Sequence, residues 1–209
     1  MTKKNIALIK QIIIENYQNA ETELNYTNDY ELLVAITLSA QCTDKRVNIV
    51  TKNLFEDYPG VKELSCADVD EIKEYIKTCS FYNNKAVNIV KMANSVMNNF
   101  GGEIPQTQKE LVTLAGVGQK TANVFLGEYH NQNFMAVDTH VFRLSHRLKL
   151  SKAKTVEQTE KDLEVMFKTD LNLLHQAMVL HGRYVCKAQK PQCFECVLSH
   201  LCTSKDKVI

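Results

Sequence analysis

The chain has 209 residues, of which 44% are hydrophobic and 23% are charged, and its formal net charge is +1. These values are ordinary for a globular protein and exclude a disordered chain. No apolar run approaches the ~20 residues that cross a bilayer, and the N-terminus opens an amphipathic segment rather than a signal peptide, so we expect a cytoplasmic protein without a membrane partner. The near-neutral charge neither indicates nor excludes a nucleic-acid partner, because the charges can be unevenly distributed.

Helical periodicity dominates the chain, and no long stretch alternates apolar and polar residues as a half-buried strand would. Asn28, followed three positions later by Glu31, predicts a capped helix start before an apolar run. Thr107 predicts a short helical segment that reaches Leu114, and Asp138 predicts another start. The sequence therefore predicts an all-α fold, with these apolar stripes: Ile6, Ile9, Ile13 and Tyr17; Val87, Val90, Ala93 and Met97; Val137, Val141, Leu144 and Leu148.

Residues 111–122, LVTLAGVGQKTA, predict two helical segments joined by a turn that contains Gly116 and Gly118. Glycine adopts backbone angles that a residue with a Cβ resists, so this turn can present consecutive N–H groups at a helix N-terminus. Such donors suit a phosphate oxygen. An ordinary helix-turn-helix corner is the alternative, and the two glycines alone do not decide between them.

Four of the seven cysteines lie within residues 186–202. Thiols stay reduced in a cytoplasm, so this cluster is more typical of a metal site than of disulfides. Zinc and an iron–sulfur cluster both accept four thiolates, and spacing alone leaves both open. The other three cysteines are expected to be small buried or half-buried side chains: Cys42, Cys66 and Cys79.

Residues 114–122 resemble the helix-hairpin-helix motif of DNA glycosylases, and Val-Asp-Thr-His at residues 137–140 resembles the segment that follows it. With the terminal cysteines and the segments 39–44 and 181–184, the chain resembles the endonuclease III family over almost its whole length. Ala115 stands where the family usually has proline, which removes no hydrogen-bond donor.

The resemblance implies two helical lobes with a DNA-binding cleft between them. A six-helix domain that carries the hairpin would span residues 21–130. A four-helix iron–sulfur domain would combine residues 1–20 with residues 131–209. The resemblance also implies a four-iron four-sulfur (4Fe-4S) cluster, with these ligands: Cys186, Cys193, Cys196 and Cys202.

The resemblance implies that Lys120 is the nucleophile and Asp138 its partner carboxylate. The helix N-terminus and burial are expected to disfavour the ammonium form of Lys120, so that a neutral amine can attack the sugar. Asp138 would take a proton or stabilise positive charge on the sugar. An aspartate before a helix is also a common N-cap, and both roles can hold together.

DNA contacts are implied at several further positions. Gln41 would fill the gap left by a base that leaves the stack, and Phe81 stands where the family commonly has an aliphatic wedge. Polarity at a helix end is the alternative for Gln41, packing for Phe81, and simple solvation for the two lysines of the cysteine segment. The implied DNA-contacting residues are Gln41, Phe81, Gly116, Val117, Gly118, Lys187 and Lys190.

The implied function is that of a bifunctional glycosylase. It would remove oxidised pyrimidines from double-stranded DNA and cleave the abasic site by β-elimination through a Schiff base on Lys120. We expect a monomer that acts on damaged or abasic DNA in a prokaryotic cytoplasm. An adenine-mismatch glycosylase is disfavoured by Lys120 and by the short tail after Cys202. A non-catalytic iron–sulfur protein that binds DNA or senses redox state is the alternative from another class.

Overall fold

The protein is described by a computed structural model that covers residues 2–208. Within this range every regular element is helical, which confirms the predicted all-α fold. The chain forms two compact units. We call Glu23–His130 the hairpin unit, and Met1–Thr22 together with Asn131–Ile209 the cysteine unit.

The hairpin unit is built around α6, a helix of 19 residues that packs against α2, α4 and α5. Helix α2 is buried from Leu32 to Leu38 and also packs on α8. The helices of this unit are α2 Asp29–Ser39, α3 Asp44–Asp57, α4 Val61–Ser65, α5 Val69–Ile76, α6 Tyr82–Phe100, α7 Gln108–Leu111 and α8 Gln119–His130.

Four helices of the hairpin unit, α2, α3, α5 and α7, begin at a side-chain cap. The Asn28 side chain accepts a hydrogen bond from the backbone nitrogen of Glu31 at 2.9 Å, as predicted. Thr107 caps α7 in the same way. The predicted extension of α7 to Leu114 is wrong, because after Leu111 the backbone tightens into hydrogen bonds between residues three apart.

The apolar stripe predicted on α6 is only partly buried. Val90 and Ala93 lie in the core, whereas Val87 and Met97 are half-buried. The core-facing stripe is displaced around the helix, and its fully buried apolar members are Ala86, Ile89, Met92, Ala93 and Val96.

The cysteine unit joins the two ends of the chain, because α1 packs on α10 and α11, and α9 also packs on both. Its core brings Ile9 and Ile13 of α1 together with Val141, Leu144 and Met178. No helix within residues 2–208 is long and apolar enough to cross a membrane. The helices of this unit are α1 Lys3–Asn16, α9 Thr139–Arg147, α10 Val156–Phe167, α11 Leu171–Tyr184 and a short 3-10 helix, Ser199–Leu201.

Candidate functional site

The turn between α7 and α8 uses its two glycines for different reasons. Gly116 has a left-handed φ of +79°, and a Cβ there would lie 3.0 Å from the Cβ of Asn88. Gly118 lies outside the left-handed region, so the expectation of a special backbone angle is wrong for it. A Cβ on Gly118 would meet nothing within 4 Å, which leaves open space beside the backbone. A ligand can therefore approach the main chain closely at Gly118.

Val117 lies between these glycines and is buried. Its backbone N–H donates to the carbonyl of Leu114 at 3.1 Å and closes the turn. Since both its side chain and its amide are engaged within the protein, Val117 shapes the turn. No backbone acceptor is described among residues 2–208 for the amides of Ala115, Gly116 and Gly118, and of these Gly118 has open space beside it.

Lys120 is the second residue of α8, and its side chain is exposed. The expected burial of this lysine is therefore wrong. Helix α8 buries Ala122, Phe125 and Leu126, and at 100° per residue Lys120 lies on the opposite face. Lys120 does lie in the first turn of the helix that follows the glycine turn, as the sequence predicted.

Asp138 is a helix cap. Its Oδ1 atom accepts hydrogen bonds from the backbone nitrogens of His140 at 2.8 Å and Val141 at 2.7 Å. The side chain is half-buried, and no described residue bonds its Oδ2 atom. The cap holds the carboxylate in one orientation and leaves one oxygen for another partner. Lys120 belongs to the hairpin unit and Asp138 to the cysteine unit.

Gln41 and Phe81 share a rare backbone conformation. Their φ angles are 55° and 58°, in the left-handed region that few residues with side chains adopt. Gln41 follows the end of α2, and Phe81 immediately precedes α6. Both side chains are exposed, and 62% of Phe81 is accessible to solvent, which contradicts the packing alternative for this ring.

The four C-terminal cysteines line one cavity of about 30 Å³, together with apolar side chains that include Leu144, Leu148 and Leu198. Their thiols are free and half-buried. Burial raises the pKa of Cys196, and the charges of the three neighbouring thiols raise it further, against a backbone hydrogen bond from Leu198. Within residues 2–208, no three His, Cys, Asp or Glu side chains converge closely enough to hold a single metal ion.

Two basic side chains point at this set of sulfurs. The Nη1 atom of Arg147 lies 3.4 Å from the Cys186 sulfur and also donates to the Lys187 carbonyl at 2.6 Å. The Nε2 atom of His181 lies 3.5 Å from the Cys196 sulfur. The hydroxyl of Tyr17 lies 3.1 Å from the other ring nitrogen of His181. Burial lowers the pKa of His181 to about 4, so the ring is neutral near pH 7.

The loop after Cys186 is anchored by α9. Arg143 donates from Nε to the Cys186 carbonyl at 2.9 Å and from Nη2 to the Gly182 carbonyl at 2.6 Å. Within this loop, Lys187 is half-buried and Lys190 is exposed, with a left-handed φ of 49° at Lys190. The loop therefore holds at least one cationic side chain in solvent.

Sequence reasoning missed four residues that organise these sites. His181 lies in a segment that carried the family resemblance, although the sequence assigned it no role. Lys85, Arg143 and Arg147 donate to carbonyl oxygens far away in the sequence, and no local pattern shows these contacts. One signal was present: Lys85 falls on the apolar face of α6, where a charged residue is unusual. The missed residues are Lys85, Arg143, Arg147 and His181.

Known proteins match this chain over the residues described above. Residues 34–169 match the HhH-GPD superfamily of base excision DNA repair proteins. Endonuclease III of Rickettsia felis is 42% identical over 195 residues, 93% of this chain and 92% of that protein. The chain belongs to the endonuclease III family. The endonuclease III of Bacillus subtilis is also 42% identical, over 98% of this chain and 94% of that protein.

The endonuclease III family is also matched in three dimensions. One solved structure is a trapped endonuclease III–DNA covalent intermediate in an estranged-adenine complex. It has a TM-score of 0.93 and 40% sequence identity, and the match covers 97% of this chain and 96% of that chain. The helices described above are therefore arranged as in the fold of an endonuclease III.

Proposed function

We propose that this endonuclease III family member is a bifunctional DNA glycosylase and abasic-site lyase that removes oxidised pyrimidines from double-stranded DNA. The observation that carries the proposal is the exposed Lys120 in the first turn of α8, directly after the Gly116 and Gly118 turn. The match to an endonuclease III trapped covalently on DNA supports a covalent mechanism for this chain as well.

Lys120 would act as an amine nucleophile. The neutral amine attacks C1′ of the damaged nucleotide, a C–N bond forms, and the glycosidic bond breaks as the base leaves with the bonding electrons and takes up a proton. Ring opening gives a Schiff base between the lysine nitrogen and C1′. Removal of a proton from C2′ then expels the 3′ phosphate, and water releases the lysine. One residue thus serves both excision and strand cleavage.

Asp138 would be the proton acceptor for Lys120, because the lysine attacks as an amine and any proton on its nitrogen must first be removed. The carboxylate would also stabilise positive charge that develops on the sugar. Its Oδ1 atom is occupied by the helix cap, so we assign these roles to Oδ2.

DNA binding would use the turn and the two exposed residues with left-handed backbones. The Gly118 amide and the N-terminus of α8 suit a phosphate oxygen, which is attracted by the helix dipole. Gln41 and Phe81 would enter the space that a flipped base leaves, where an amide pairs with the opposite base and a ring stacks. Lys187 and Lys190 would contact the phosphate backbone.

We also propose that the four terminal cysteines hold a 4Fe-4S cluster. Four thiols around one cavity with apolar walls fit a multi-iron cluster, and the Arg147 guanidinium would offset part of its negative charge. A single zinc ion is the poorer fit, because it needs four sulfurs within about 2.3 Å of one point. Bound by the four cysteines, the cluster would cross-link the C-terminal segment. Iron and sulfide content separates the two metals.

We further propose that the hairpin unit and the cysteine unit are separate domains, and that the protein works as a monomer on nucleoid DNA in a prokaryotic cytoplasm. The relatives named above are bacterial, which supports this placement.

Borohydride trapping tests the proposed activity. Wild-type protein, Lys120→Ala and the control Lys109→Ala, an exposed lysine on α7, are each reduced in the presence of duplex DNA with one oxidised thymine. We expect a covalent complex for the wild type and for Lys109→Ala, and none for Lys120→Ala. If no protein traps or cuts lesion or abasic DNA while all bind it, the chain is a binding protein and the proposed activity is wrong.

A further inference from the structure

Lys85 is a buried lysine on the fourth position of α6. Only 6% of its surface is accessible. Its Nζ atom donates hydrogen bonds to the carbonyl oxygens of Leu38 at 2.8 Å and Ala40 at 2.7 Å. These carbonyls belong to the C-terminal end of α2, where a cation is favourable because it meets the negative end of the helix dipole.

The same residue also holds the segment before α6. The backbone N–H of Lys85 donates to the carbonyl of Phe81 at 3.1 Å. Its ammonium meanwhile binds Ala40, the residue directly before Gln41. The backbone bond to Phe81 is the regular helix bond of the first turn of α6, which any residue at this position makes; the ammonium is what ties this turn, directly after Phe81, to the residue before Gln41.

The surroundings of Lys85 favour this link over simple packing. Burial lowers the pKa of Lys85, while the nearby thiols of Cys42 and Cys79 raise it. Cys42 is half-buried and Cys79 is buried, whereas Cys66 is exposed, contrary to expectation. No ion pair of Lys85 is described within residues 2–208. A core position that required only volume would be better filled by an apolar side chain.

We propose that Lys85 is a positioning residue that holds Gln41 and Phe81 ready to enter the DNA duplex together. The inference rests on the proposed function, because it assigns to Lys85 the arrangement of the two side chains that fill the space of the flipped base. Both backbones are fixed before DNA arrives, so binding does not have to order them. Lys85 touches neither the sugar nor the base, and acts only through the two segments.

The test separates positioning from folding and from chemistry. Lys85→Met keeps most of the side-chain length without the donors, and Lys91→Met is the control, an exposed lysine on the same helix. Single-turnover excision is measured on duplex DNA with one oxidised thymine. Strand cleavage is measured in parallel on single-stranded DNA with one abasic site, which has no opposite strand and no gap to fill.

We expect Lys85→Met to slow duplex excision by about 10- to 100-fold, the effect of a misplaced group. Cleavage of single-stranded abasic DNA should stay within about twofold of the wild type. With 2-aminopurine opposite the lesion, the fluorescence rise on binding should be smaller than for the wild type. Lys85→Arg, which keeps the charge and donors, should lie between the wild type and Lys85→Met. Lys91→Met should match the wild type in every assay.

A double-mutant cycle separates a loss of excision caused by positioning from one caused by lower stability. In a Gln41→Ala, Phe81→Ala background, adding Lys85→Met should cost at most about twofold in duplex excision, because the side chains through which it acts are already gone. An additive loss would overturn the inference, as would equal losses on duplex and single-stranded substrates. If the wild type cleaves neither substrate, the proposed function and the inference both fall. If the wild type excises and cleaves but Lys85→Met matches it on duplex DNA, the inference alone is wrong.

Discussion

The Oδ1 atom of Asp138 lies 2.7 Å from the backbone nitrogen of Val141 and accepts its hydrogen bond. One oxygen of the carboxylate therefore serves the fold, and its capping role and its proposed catalytic role can be separated by substitution.

Asp138→Asn keeps an oxygen for the cap but removes the carboxylate, whereas Asp138→Ala removes both. We expect the free energy of unfolding of the asparagine variant to lie within about 0.5 kcal/mol of the wild-type value. That of the alanine variant should be lower by about 1 kcal/mol. Excision should fall by about 10²- to 10⁴-fold in both. Urea denaturation and single-turnover kinetics measure the two effects.

Asp68, which caps α5 through its own Oδ1 atom, is the matched control. Asp68→Ala should lower stability in the same way and leave excision unchanged. Excision at the wild-type rate by Asp138→Asn would contradict the catalytic role of that carboxylate.

The two turn glycines should respond differently to alanine. Gly116→Ala forces a Cβ into a left-handed backbone against Asn88, and we expect it to lower the free energy of unfolding by about 1 to 3 kcal/mol. Gly118→Ala meets open space, so its stability should change by less than about 0.5 kcal/mol. Its DNA affinity should nevertheless fall by about tenfold, because the methyl group occupies the path of the phosphate. Unchanged affinity for Gly118→Ala would place the phosphate elsewhere.

The contact between His181 and Cys196 should tune the proposed cluster. A ligating thiolate carries no proton, so the neutral ring must donate from Nε2 while Nδ1 accepts from the hydroxyl of Tyr17. Hydrogen bonds to a ligand sulfur stabilise the reduced cluster, so His181→Leu should lower the reduction potential. Protein-film voltammetry measures the shift at matched iron content. His200→Leu, an exposed histidine of the 3-10 helix, should leave the potential unchanged.

The lysines of the cysteine loop should contribute affinity without sequence preference. Replacing Lys190 by alanine should weaken binding equally for damaged and undamaged duplexes and reduce the slope of log K against log salt by about one. Lys187, which is half-buried, should give a smaller change. Titrations at several salt concentrations test this, with the exposed Lys161 on α10 as the control. An unchanged slope for Lys190→Ala would favour simple solvation of that side chain.

Local signals predicted the fold well, because helix caps and apolar periodicity act within a few residues. Asn28, Thr107 and Asp138 each cap the helix that the sequence assigned to them. The end of α7 was missed because the backbone tightens at residues 113 and 114, before the first glycine of the turn, and no residue type there marks the transition.

Side-chain environment was harder to predict than helix position. The exposure of Lys120 depends on which face of α8 the core covers, and the ordinary φ of Gly118 depends on the complete turn. The contact between Lys85 and Ala40 joins residues 45 positions apart through a backbone carbonyl, an acceptor that every residue carries. The place of Lys85 on the apolar face of α6 signals that it needs a buried partner, but the sequence does not show which carbonyl that partner is.

Helix α9 begins at the carboxylate and ends at the cysteines. Asp138 caps its first turn, while Arg147 in its last turn donates hydrogen bonds to the carbonyl oxygen and the sulfur of Cys186. Nine residues of α-helix form a strut of about 13 Å. We therefore expect damage to the cysteine segment to change the orientation of the Asp138 carboxylate, because the helix that this aspartate caps is held at its other end by Cys186. On the proposed assignments, oxidative loss of the cluster would lower the activity that depends on Asp138 while the helices around it stay folded.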